Sequence, residues 1–187
     1  MKIIELVIDE TADEYAVDCV SLVDEPAIES NFIALKKQRF KKIDASRRLL
    51  MGPVLIPDKM IYRHDEERGD YSVYFSKKTC RQAMELYMQR GFQSSWSKDH
   101  ENKVEGVHMV ESWIVEDKDK DKSALYGLDV PVGTWMCCAK VKDDELWENS
   151  IKSGDVLGFS IEGFFVSARE AMALQEIEQA IQNHTKR

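Results

Sequence analysis

Polar and apolar residues alternate over short stretches along most of this chain, the period-two pattern of half-buried strands. Residues 2–8 and 15–23 predict two strands joined by the polar turn Asp9 to Glu14, the second ending at Asp24 to Ala27, where Pro26 leaves regular pairing. A third strand from Leu49 to Ile56 stops at Pro57 and Asp58. Met60 to Arg63 and Tyr71 to Phe75 predict a hairpin around the charged tip His64 to Asp70. Phe92 to Trp96 reads as extended, Val104 to Val115 as a strand bulged at Gly106, and Pro131 to Val141 as another strand. The last strand follows a turn at Gly154 and Asp155 and runs towards Phe165, with Val156, Phe159, Ile161 and Phe164 as its bulk.

Helical spacing is confined to a few places. Ser76 is a good N-cap for a helix through Arg90, with Ala83, Met84, Leu86, Tyr87 and Met88 apolar and Gly91 closing it. Asp143 and Asp144 start a short helix carrying Leu146, Trp147 and Ile151. Residues 168–185 form a long polar helix with Ala171, Met172, Leu174, Ile177 and Ile181 on one stripe. About eight strands, broken by single helices without a βαβ rhythm, predict an α+β, mainly β fold: a mostly antiparallel barrel with peripheral helices. One domain is expected, divided into N-terminal strands (1–35), a basic connector (36–48), the barrel core (49–166) and a C-terminal helix (167–187). The basic run Lys36 to Arg48 reads as an exposed connector, with an arm docking on an acidic partner as the alternative.

Composition narrows the classes. With 187 residues, 43% apolar and 32% charged, the chain is long enough for a real core and has the balance of a soluble globular protein. A net charge of −8 argues against non-specific nucleic-acid binding. No apolar run approaches a membrane span and the N-terminus is no signal peptide, so an intracellular protein is expected. Cys19, Cys80, Cys137 and Cys138 fit neither zinc spacing nor a disulfide framework, and the four histidines show no metal motif. No metal or cofactor is expected. The Asp/Lys run from Asp117 to Lys122 lacks the central glycine and closing glutamate of a calcium loop.

The chemistry centres on Ser160. On a period-two strand Ser160 and Glu162 share one face, while Phe159 and Ile161 take the other. Such a face is either solvated or the seat of a nucleophile that the flanking Gly158 and Gly163 let a substrate approach. A serine nucleophile needs a base, and His100, beside Ser97, Lys98, Asp99 and Glu101, is the candidate. His108 is its rival in mid-strand; His64 on a loop tip and His184 near the C-terminus are poor choices. The third, orienting group is expected to be Glu111, which interrupts the apolar run Val107 to Val115, with Asp99 and Glu162 as substitutes.

Seven segments, in order, carry a resemblance: Val20 to Ile28; Gly52 to Asp58 with Ile61 to Arg63; Asp70 to Ser76; Asp99 and His100; Val110 to Asp117; Gly127 to Trp135; Ser153 to Gly163. Together they resemble the capsid-maturation serine proteases of tailed bacteriophages, in particular the XkdF-like prohead protease family, from about residue 17 to 166. The resemblance implies a barrel like that of the herpesvirus assemblins, with Ser160 matching the nucleophile, His100 the upstream histidine and Glu111 an acidic position. Assemblins place a second histidine after the serine; here only His184 follows. It further implies cleavage of the internal scaffold, of capsid-protein extensions and of the protease itself, inside the prohead in the host cytoplasm, by a chain that dimerises through helices. A catalytically inactive prohead scaffold component and a peptide-binding β-module using a sheet edge are the alternatives.

Overall fold

The computed structural model of the chain describes residues 2–8, 17–24 and 40–185, with side chains of the last helix described through Ile177 and at Ile181. The expected turn from Asp9 to Glu14, the end of the second strand beyond Asp24 and the basic positions 36–39 lie outside those residues.

In chain order the strands begin with β1 (Lys2–Val7), β2 (Cys19–Val23), β3 (Lys41–Asp44), β4 (Leu49–Leu55), β5 (Ile61–Asp65) and β6 (Gly69–Phe75). Helix α1 (Lys77–Gln89) and a 3₁₀ turn lead to β7 (Trp96–Lys98), β8 (Asn102–Val104) and β9 (Val107–Ile114). The short α2 (Lys122–Leu125) precedes β10 (Trp135–Val141). After it come α3 (Asp144–Leu146) with its π-helical extension Trp147–Lys152, then β11 (Gly158–Glu162), β12 (Val166–Ser167) and α4 (Ala168–Thr185).

These strands make three four-stranded sheets, in the orders β12-β1-β6-β5, β3-β4-β10-β9 and β11-β2-β7-β8. All pairings are antiparallel except β1 with β6 and β2 with β7. The fold is mostly β with few helices, as the alternation predicts, but the described strands do not close into a barrel. The physical reason lies at the corners. Pro57 has no N–H to pair, and Asp58 takes a left-handed φ of 57°, so the chain leaves the β4 sheet before joining another at β5. A second break at residues 163–165 separates β11 from β12. The basic stretch is also not all connector, since β3 pairs along β4 at the edge of its sheet.

The core fills the space between sheets. β4 is buried at every position, which a strand covered on both faces requires. Helix α1 starts where Ser76 Oγ accepts from Thr79 N at 3.3 Å, and Gly91, at φ 80°, provides the left-handed residue that ends it. Its buried side chains Cys80, Ala83 and Tyr87 recur at helical spacing, and Tyr87 meets the fully buried Trp135 with ring centroids 5.4 Å apart. By contrast α4 buries only Ala171 of its apolar stripe. Met172, Leu174, Ile177 and Ile181 are exposed.

Candidate active site

β11 is the edge strand of its sheet, and Ser160 lies at its centre, buried with 7% of its surface exposed. Its cross-strand neighbour on β2 is Ser21, whose neighbour on β7 is Ser97. Three buried serines thus form a row across one face. The opposite face is aromatic: Phe159 packs on Phe40 at 5.4 Å and on Trp96 at 5.6 Å between ring centroids. This clamp fixes the strand, and with it Ser160.

His100 reaches the same place through a tight turn. Lys98 to Glu101 joins β7 to β8, with Glu101 N donating to Lys98 O at 3.1 Å. Both central residues, Asp99 (φ 52°) and His100 (φ 60°), are left-handed, the signature of a type I′ hairpin turn. Neither is glycine, so the turn holds backbone strain of about 1–2 kcal/mol per residue. Two hydrogen bonds to β2 hold it: Asp99 N to Leu22 O at 2.9 Å, and His100 N to Ser21 Oγ at 3.0 Å. The serine opposite Ser160 is therefore the one that anchors the backbone of His100.

On the imidazole, Nδ1 lies 3.3 Å from Glu162 Oε1. Ser97 Oγ donates to the same carboxylate oxygen. With the carboxylate on the Nδ1 side, the tautomer protonated at Nδ1 is the favoured one, and it leaves Nε2 the lone pair a general base needs. Ser160 and His100 both open onto one cavity of about 480 Å³, walled by Val54, Leu55, Phe75 and Phe165 and edged by Lys59 and Arg63. A hydroxyl and an imidazole facing one cavity, with a carboxylate beside the imidazole, are the groups that nucleophilic acyl transfer uses.

The structure thus brings Ser160 and His100 to one cavity and sets Glu162, not Glu111, beside the imidazole. Glu111 stands on β9 in a different sheet, where its carboxylate pairs with Lys122 Nζ at 2.5 Å. His108 is bonded to Ser94 Oγ and His64 to Asp70, both at 2.7 Å, and neither lines the cavity. His184 lies in α4, its side chain outside the described residues. The supporting roles of Ser21 and Ser97 were not anticipated. A signal was present for Ser21, a hydroxyl in the wholly apolar setting of Cys19 to Val23. Among the described residues no three His, Cys, Asp or Glu side chains converge as a metal site, and no helix is long and apolar enough to cross a membrane.

Residues 36–168, more than half of the chain, match the model of the family described as "Putative phage serine protease XkdF". The chain belongs to that family. No curated protein and no solved structure matches it.

Proposed function

We propose that this chain is a serine endopeptidase of phage head assembly, cutting scaffold protein, capsid-protein extensions and itself within the prohead. The observation that carries the reading is that Ser160 and His100 open onto one cavity, with Glu162 3.3 Å behind the imidazole. Family membership supports a phage protease. In this mechanism His100 Nε2 takes the proton of Ser160, the alkoxide attacks a peptide carbonyl, and the imidazolium is stabilised by Glu162. His100 then protonates the leaving amine, and water, activated by the same imidazole, releases the acyl group. Enclosure with its substrates in a small shell raises their effective concentration, so a slow protease suffices.

The exposed Leu174 and Ile177, one turn apart on the same face of α4, support association of two copies through that helix. Sedimentation over a range of concentrations tests it: a monomer throughout removes the dimer and leaves the protease.

The deciding experiment is incubation of purified chain alone and with prohead scaffold protein, read by intact-mass spectrometry. Fragments that appear with the unmodified chain and vanish with Ser160→Ala, at unchanged thermal midpoint, support the assignment. Identical behaviour of the two chains overturns it in favour of an inactive scaffold component or a peptide-binding module.

A further inference from the structure

The cavity beside Ser160 contains a cation the mechanism does not use. Lys59 follows the Pro57–Asp58 corner and lines the cavity together with Ser160 and His100. Its side chain is half-buried, and burial alone pushes its ammonium below the usual lysine range. Among the described residues no Asp or Glu lines this cavity. Its other cation is Arg63, whose guanidinium donates to the Tyr62 carbonyl at 3.0 Å. The remaining wall is largely aliphatic and aromatic.

An ammonium drawn into an apolar cavity without a carboxylate is unfavourable until an anion joins it. The protein as a whole carries a net charge of −8, so this cationic spot is local and its selectivity is set at contact range. A peptide laid across Ser160 supplies side-chain carboxylates, and its apolar side chains suit the surrounding wall. We infer that Lys59 is a specificity residue that receives the carboxylate of an Asp or Glu side chain in the substrate, so that the enzyme selects peptides with an acidic residue close to the bond it cuts. This rests on the assignment of Ser160 as nucleophile. The charge-assisted contact, formed in a partly desolvated site, corresponds to about tenfold to a hundredfold in kcat/KM.

The test uses quenched peptides, acetylated and amidated at their ends so that only side chains carry charge, made in pairs with Glu or Gln at each position around a cut. The unmodified chain is expected to prefer the Glu member of at least one pair by about tenfold or more. Lys59→Met should erase that contrast by bringing the Glu member down to its Gln partner, and Lys59→Arg should restore part of it. Binding of the same pairs to the Ser160→Ala chain, followed by fluorescence anisotropy, gives the contrast without turnover. Equal affinity for Glu and Gln members there overturns the proposal. So does equal slowing of both members by Lys59→Met, which would make Lys59 a general base or a structural residue. Cleavage that persists in Ser160→Ala would instead remove the assignment of the nucleophile, an outcome the anisotropy measurement keeps separate.

Discussion

His100 Nδ1 stands 3.3 Å from Glu162 Oε1, and Ser97 Oγ donates to that same oxygen, so one carboxylate oxygen is shared by an imidazole and a buried hydroxyl. The sharing fixes the orientation of Glu162 and selects which nitrogen of His100 is free. Both side chains keep about a third of their surface exposed (38% and 32%), so the pair tunes orientation more than it contributes to stability. Glu162→Gln is expected to keep the fold and lower kcat by about a hundredfold to ten-thousandfold, because the amide favours the wrong tautomer. Glu111→Gln, which weakens the exposed contact with Lys122 and removes a charge beside Cys138, should leave cleavage within about twofold, on the order expected for an exposed ion pair. Cleavage of one fixed peptide by the two variants at equal concentration decides between the carboxylates. Severe loss in Glu111→Gln alone would return that residue to the triad.

The turn that carries His100 makes a second prediction. Asp99 at φ 52° occupies a position that asparagine and glycine tolerate and β-branched residues do not. Asp99→Asn should preserve both stability and cleavage. Asp99→Val should lower stability by about 1–2 kcal/mol and displace the imidazole, with a loss of cleavage larger than the loss of stability explains. Urea unfolding and steady-state rates on the same preparations separate the two effects. An active, fully stable Asp99→Val would show that the turn does not position the base.

Local features of this fold were legible in the sequence because their causes are local. Ser76 caps α1, the β5–β6 hairpin forms around its charged tip, and period two alone places Ser160 and Glu162 on one face. What was not legible depends on distant partners. Nothing between Lys2 and Phe75 indicates that β1 and β6 run parallel, nor that β2 lies between β11 and β7. Glu111 looked unpaired in its apolar run because its partner, Lys122, sits beyond a loop. Glu162 stands only as a substitute orienting group in the sequence, because it is the Asp99–His100 turn, anchored on Ser21, that brings the imidazole to it. His100 is readable as a candidate from its polar neighbours, a weak signal for a lone histidine that the resemblance to a family reinforces.

Gly52 on β4 ties stability to the site. A Cβ added there would lie 2.9 Å from Phe40 Cβ, 3.0 Å from Phe40 Cα and 3.2 Å from the ring of Phe159. Phe40 cannot simply retreat, since its N–H donates to Leu157 O at 3.0 Å just before β11. Gly52→Ala should therefore overpack the interface and cost about 1–3 kcal/mol. Because Phe159 precedes Ser160, cleavage should fall as well, even at temperatures where the variant is fully folded. Unchanged stability in urea would mean that β4 and β11 separate more easily than their packing implies.

The four cysteines give the last prediction, through pH. All are free and buried, and burial pushes Cys80 up to about 12 and Cys138 to about 11 from an ordinary 9.0, with Cys137 and Cys19 raised as well. A raised value means that the folded chain holds thiol protons that the unfolded chain releases. The corresponding stability is present in full below pH 9 and is lost as pH rises through 11 and 12. Urea midpoints should accordingly fall between pH 8 and pH 10.5, and the fall should be smaller in Cys80→Ala than in the unmodified chain. The same burial predicts that iodoacetamide at pH 8 leaves the native protein unlabelled over minutes, while unfolding in urea exposes all four thiols to it. Rapid native labelling at Cys80 would show that α1 opens far more readily than its packing against Trp135 predicts.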